Sequence, residues 1–351
     1  MTTLPQQAAA SAAPEATDLT QTSQTLGTSV PRAPRATDKP AAFRLKAKDL
    51  MPLSARSNAP AARRALGHLG AIGIAAFALW QLRASLWAVA LVPLLGYFIA
   101  FLFNALHETA HQTPFRTRFW NYAMGHLAGF AIGLPYEYYR LFHWDHHRFT
   151  QDPVRDPELA MPLPTTRLGL AWYWSGVPTW IGRARLLFMH GVRGVVRAPW
   201  VPEAKRALVV REARCYLLGY AAVAAVSIAT GSLAALWLWL LPLAVGQWFL
   251  RPYLLSEHTG CAHTPDMLEN TRTTYTNAFV HFFAWNMPFH VEHHAYPAVP
   301  FHALPQLNAL LAEHITNTEN GYPASTAAVL RHLNTLAAHR AAGTDLLTES
   351  K

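Results

Sequence analysis

Apolar residues are not spread evenly along this chain. They gather in runs separated by basic and polar breaks. One run extends from about Ala65 to Leu82 and a second from about Ser85 to Leu106, with Arg83 at the break. A second pair follows, Cys215 to Thr230 and Leu233 to Leu250, joined by Gly231-Ser232. A membrane-crossing helix needs about 20 apolar residues, fewer with flanking anchors. The Cys215 run is short for a span and has room to extend back toward Leu208. The pattern predicts an all-α integral membrane protein with four transmembrane helices in two hairpins.

The intervening segments read differently. Ala123 to Leu134 is apolar but too short to span, which suits a re-entrant or interfacial helix ended by Pro135. Gln151 to Pro164 is proline-rich loop. Leu168 to Ile181 carries Trp172, Tyr173, Trp174 and Trp180, residues that suit a headgroup zone. After Pro300, Leu304, Leu307, Leu310 and Leu311 recur at helical spacing, Gly321-Tyr322-Pro323 interrupts, and Ala327 to His339 forms a further helix. Residues 1–60 are rich in Ala, Pro, Ser and Thr, with no aromatic before Phe43. Such a stretch cannot bury enough apolar surface to offset its ordering entropy and is expected to be disordered. The expected organisation is a tail at 1–60, a membrane domain at 61–312 and a C-terminal helical tail at 313–351.

Composition agrees. Hydrophobic residues make up 52% and charged residues only 14%, against roughly 25% charged in soluble proteins. Mean hydropathy is only +0.09, because the polar tail dilutes the membrane part. The formal charge of +9 falls largely beside the apolar runs: nine basic residues lie between Arg32 and Arg64, and another cluster between Arg183 and Arg214. Membrane orientation accounts for these before nucleic acid does, and no nucleic-acid partner is expected. Both clusters place their flanks, and hence both termini, in the cytoplasm. Two cysteines, Cys215 and Cys261, make neither a disulfide framework nor a CxxC metal motif.

The chemistry lies in histidines. His107-Glu108-Thr109-Ala110-His111 sets two of them four apart. His143-Trp144-Asp145-His146-His147 and His290-Val291-Glu292-His293-His294 each set three at i, i+3, i+4. On a helix those positions share a face. Eight imidazoles exceed what one tetrahedral zinc accepts and suit two metal ions with open positions. Two even-numbered sets of crossings bring all three boxes to the same side of the membrane. His107 to His111 also matches the HExxH helix of zinc proteases, in which His107 and His111 would bind zinc and Glu108 would be the general base. That reading leaves both HxxHH boxes unexplained. A metal carrier without chemistry would want ligands inside the spans rather than at their ends.

The order HxxxH, HxxHH, two apolar runs, HxxHH resembles the membrane fatty acid desaturase superfamily, which also contains hydroxylases and carotenoid oxygenases. The resemblance covers roughly Ala65 to Leu311. His143 to Thr150 resembles the family pattern HxxHHxxT, and Asn286 to Pro297 resembles NxxxHxxHHxxP. It implies a cytoplasmic non-haem di-iron site that uses O2 to remove hydrogen from an unactivated C–H bond of a fatty acyl lipid. Electrons would come from a separate ferredoxin- or cytochrome b5-type donor. The resemblance also implies a further histidine ligand before the third box: His258 is preferred for its position near the membrane exit, with His263 the alternative.

The expected metal set is therefore His107, His111, His143, His146, His147, His258, His290, His293 and His294. Asp145, Glu292 and Asn286 are expected behind them, Asn286 from the family pattern as a holder of water, and Glu108, Asp152, Asp156 and Glu257 are near enough to orient a ligand. His126 and His281 are expected to be core residues. The expected activity is desaturation of a fatty acyl chain; the alternative is a hydroxylase or ketolase, and the remote alternative is the HExxH zinc membrane protease.

Overall fold

The computed structural model describes residues 43–341. The expected disorder at residues 1–42, and the polar end at 342–351, lie outside the described residues. Within the rest of the expected tail the chain is already ordered: α1 spans Ala47–Leu53. Phe43 stacks on His314 with ring centroids 3.5 Å apart, the Leu45 N–H donates to the Tyr296 hydroxyl at 2.8 Å, and Leu45, Leu50 and Leu53 pack on the core. These few apolar residues supply what the segment's composition hides.

Helix α2 runs Asn58–Leu82, with Ser57 capping its first turn. A short turn containing Arg83 leads to α3, Ala88–Ala100, and α4, Leu102–Ala110, which together form one apolar rod. Helix α5, Arg118–Ile132, ends on Gly133 at φ 75°, the left-handed cap that glycine tolerates. Helix α6, Tyr136–Phe149, carries the second histidine box. Two short helices, α7 (Arg167–Trp174) and α8 (Val177–Leu187), precede the long α9, Glu203–Thr230. A π-helical turn at Leu236–Leu240 runs into α10, Leu241–His258.

Among the described residues three helical stretches are long and apolar enough to cross a membrane: Asn58–Leu82, Ala88–Ala110 and Glu203–Thr230. The expected fourth span at Leu233–Leu250 is helical but divided by the π turn, and α10 carries Arg251 and Glu257. Helix α10 packs on α3 at backbone contact. A Cβ at Gly96 would stand 2.2 Å from the Pro242 carbonyl oxygen, and one at Gly246 would stand 2.2 Å from that of Gly96. Small residues at such a crossing let two backbones touch, the means of helix association in lipid.

The remainder is short: α11 (Met267–Asn270), β1 (Thr273–Tyr275), α12 (Ala278–Phe283), α13 (His290–Ala295), α14 (Leu304–Leu311), β2 (Thr318–Asn320) and α15 (Tyr322–Ala341). The described residues are mostly helical, as an all-α chain requires, and carry one small sheet besides. Strands β1 and β2 pair in parallel, Thr273 opposite Thr318. This small sheet braces the third box, because the Thr273 hydroxyl donates to Glu292 of α13 at 2.6 Å.

Candidate metal centre

The nine expected histidines converge. His107, His143, His147 and His293 bring one ring nitrogen each to within 4.8 Å of one another, and so do His146, His258 and His294. His111 joins the first group, its Nε2 2.7 Å from that of His143. His290 joins the second, its Nε2 3.1 Å from that of His258. His147 Nε2 stands 3.1 Å from His143 Nε2 and 3.2 Å from His293 Nε2. All nine are buried.

Four pieces of chain supply them. Helix α4 and its cap give His107 and His111, α6 gives His143, His146 and His147, the last turn of α10 gives His258, and α13 gives His290, His293 and His294. His258 is held at a helix end that Arg272 clasps, donating to the Ser256 and Thr259 carbonyls at 2.6 and 2.9 Å. His263, the alternative, lies outside both groups and pairs with the Gln151 carbonyl at 3.0 Å.

Burial, then mutual repulsion among imidazoles, pushes the pKa of His143, His147, His293 and His294 well below the ordinary value. They are neutral, the form that ligates metals. Lone pairs of neutral nitrogens facing each other at about 3 Å repel unless a proton or a cation stands between them; ligands about 2 Å from one ion have that mutual spacing. Among the described residues the buried Nδ1 atoms of His107, His111, His143 and His147 have no hydrogen-bond partner. The donor set fits two nitrogen-rich metal sites.

Three of the carboxylates named as near enough to orient a ligand, Asp156, Glu108 and Glu257, stand behind the rings. Asp156 accepts from His146 Nδ1 at 2.9 Å and from the backbone N–H of Gln151 and Glu158. Burial lowers the pKa of His146, but Glu158 and the Asp156 bond outweigh it, and the net shift is upward. Glu108 places one oxygen 3.3 Å from His293 Nδ1 and accepts the Phe301 N–H with the other. Glu257 lies 3.7 Å from His290 Nδ1. Glu158, which the sequence reading missed, lies 3.7 Å from His146 Nε2. Thr150 and the Asn270 carbonyl, also missed, meet His294 Nδ1 and His258 Nδ1 at 3.2 and 3.3 Å. The threonine of HxxHHxxT was the available signal for the first; a backbone carbonyl leaves none.

Three expected supports sit elsewhere. Asp145 faces Arg148 at 3.7 Å, half-buried, because a residue two positions from His143 turns to the opposite helix face. Glu292 is fully buried but holds Thr273 and Asn308 rather than an imidazole. Asn286 donates its amide to the Phe301 carbonyl at 2.9 Å and has φ 60°. Asparagine tolerates that left-handed backbone better than alanine, and Phe301 in turn reaches Glu108. Asn286→Ala should therefore cost about 1–2 kcal/mol of stability and lower turnover without emptying the metal site. Thermal unfolding with metal analysis checks this, and Asn286→Gly should restore the backbone part alone. Of the expected core histidines, His281 stacks on Phe289, whereas His126 is half-exposed beside Glu212 at 3.4 Å.

A family model described as fatty acid desaturase matches residues 84–324, which contain every histidine of both groups. The chain belongs to the fatty acid desaturase family. Among its relatives is a sphingolipid delta(4)-desaturase of Komagataella phaffii, 24% identical over 229 residues, 59% of this chain and 57% of that protein. A sphingolipid delta(4)-desaturase of Candida albicans is 23% identical over 235 residues, 60% of this chain and 58% of that one. A Caenorhabditis elegans protein named "Putative sphingolipid delta(4)-desaturase/C4-monooxygenase" is 24% identical over 255 residues, 69% of this chain and 64% of its own length. The chain thus spans less than two thirds of the length of each of these relatives. With the apolar helices, family membership makes this a membrane protein.

Proposed function

We propose that this chain is an O2-dependent oxidoreductase that introduces a double bond into a fatty acyl chain. The observation that carries the reading is the convergence of nine buried histidines into two adjoining groups, His147 of one stacked on His294 of the other at 4.0 Å. His107, His111, His143, His147 and His293 would hold one iron, and His146, His258, His290 and His294 the other. When bound and reduced by an external ferredoxin- or cytochrome b5-type donor, the pair supplies O2 activation and hydrogen removal from an unactivated C–H bond.

The protein's own residues set the conditions. Asp156 fixes the ring of His146 by a hydrogen bond, and Glu108 stands 3.3 Å behind the ring of His293. Phe103 and Tyr139 wall the centre, the Tyr139 ring stacked on His143 at 5.3 Å and Phe103 packed on Tyr139 at 5.5 Å. Both are buried, so the site excludes water that would intercept a strong oxidant. The proposed topology has four crossings, the fourth being the divided helix through Leu233–Leu250, with both termini and the metal site cytoplasmic. An acyl chain then enters from the membrane plane.

Hydroxylation is the second reading, favoured by the name of the Caenorhabditis elegans relative, which pairs the two activities. Mass spectrometry of lipids incubated with the protein, O2 and a reductant separates them. Loss of two hydrogens supports desaturation, gain of one oxygen supports hydroxylation, and an unchanged lipid pool counts against both. The HExxH protease reading requires Glu108 to face a metal-bound water; here both its oxygens are turned to His293 and Phe301. Glu108→Gln should weaken iron binding by about 10–100-fold, as loss of an orienting partner does. Zinc retained at full occupancy in that variant, with activity abolished, would revive the protease.

A further inference from the structure

A basic recess stands at the start of α9. It encloses about 510 Å³, a volume in the range of small-molecule sites. Val195 and Val196 form one wall, and Arg206, Arg211 and Arg214 of α9 form the other. Arg206, Val210 and Arg214 recur four apart and Arg211 stands three before Arg214, so the arginines share one side of the helix. Arg214 is held in place. Its Nε donates to the Gly191 carbonyl at 3.0 Å, in a π-helical turn at Phe188–Val192. Gly194, at φ 65°, turns the chain closely past it: a Cβ there would stand 3.7 Å from a terminal nitrogen of Arg214. Glu203 also lines the recess and pairs with Arg206. Among the described residues Arg211 and Arg214 have no carboxylate within 4.0 Å. The recess therefore keeps a positive charge that its own acid does not offset.

Guanidinium matches phosphate with paired donors, and the Gly191 bond leaves the other four N–H groups of Arg214 over. The same side of α9 continues as apolar surface. Leu218 and Ile228, four and fourteen positions beyond Arg214, are 70% and 82% exposed. Leu218 is only about 6 Å along the axis from Arg214, and α9 is long and apolar enough to cross a membrane. A ligand that satisfies both parts is an anion at one end and hydrocarbon at the other. We propose that this recess binds the phosphate of an anionic membrane phospholipid, whose acyl chain lies along the exposed face of α9. A free phosphate would use the arginines and leave the apolar face uncovered. None of the nine histidines lines the recess, so this lipid site depends on the membrane character of α9 and not on the chemistry at the metal centre.

Binding tests this without turnover. Full-length protein in a nonionic detergent is titrated calorimetrically with dioleoyl phosphatidylglycerol and dioleoyl phosphatidylcholine, which share chains and a phosphodiester and differ in net charge. Glycerol 3-phosphate, with a phosphate and no chain, is the third probe. Phosphatidylglycerol should bind about tenfold more tightly than either of the others, a difference of about 1.4 kcal/mol. Arg211→Gln and Arg214→Gln should each reduce that preference by about threefold or more. Arg197→Gln, an exposed arginine outside the recess, should leave it unchanged. The Arg211 side chain makes no hydrogen bond or ion pair among the described residues, so its variant tests the site without risk to the fold. Equal affinity for the two lipids overturns the proposal and leaves the recess to an acidic protein. Glycerol 3-phosphate bound as tightly as phosphatidylglycerol overturns the lipid in favour of free phosphate. A preference intact in both recess variants, or lost equally in Arg197→Gln, means diffuse surface charge and overturns the site.

Discussion

His293→Ala should at least halve the iron content of the purified protein, from about two ions per chain, and abolish lipid oxidation. His293 is the residue whose neighbours reach in both directions. Its Nε2 stands 3.2 Å from His147 Nε2 inside the first group, and its Nδ1 stands 3.3 Å from Glu108. Alanine removes a ligand nitrogen and leaves Glu108, wholly buried, facing a void. The loss should exceed the 10–100-fold that removal of an orienting partner costs, because the ligand itself is gone. Iron per chain by elemental analysis, with product by mass spectrometry, reads both effects. Full iron and full activity in this variant would refute the assignment of the first group. One zinc per chain, kept in the variant, would point back to the HExxH reading.

Asp156→Asn should act on the other group. Asp156 Oδ1 accepts from His146 Nδ1 and the Glu158 N–H, both at 2.9 Å, and Oδ2 accepts from the Gln151 N–H at 2.8 Å. An amide in place of the carboxylate sets a donor against at least one of these donors and removes the charge that raises His146. Iron affinity at His146, His258, His290 and His294 should fall about 10–100-fold. The first group keeps its ion, so the preparation should approach one iron per chain while activity falls. Asp145→Asn is the matched control. Asp145 lies in the same box but faces Arg148, and its variant should keep both metals. Equal metal loss in the two variants would mean that position in the box matters more than the Asp156 contacts.

Much of this was legible before any coordinates. Histidines three and four apart in the three boxes share helix faces, so the periodicity singled out eight of the nine side chains that converge. The paired apolar runs located the long helices, with Gly231 ending α9 at φ 61° as its turn position implied. Family-like spacing supplied the ninth histidine, His258, and the structure separates it from His263 by where each ring goes.

The remainder required the folded chain, because it depends on which residues meet across long stretches of sequence. Asp156 rather than Asp145 supports the second box, since a loop folds back over α6 while the in-box acid points outward. Glu108 meets His293 only because the fold brings side chains of α4 and α13 together. The order in Ala47–Leu53, the β1–β2 pair and the backbone-close crossing at Gly96 and Gly246 all arise from partners distant in the chain. Local periodicity determined which side chains share a face and which stretches can cross lipid. Tertiary packing decided which faces touch, and so which carboxylate stands behind which ring.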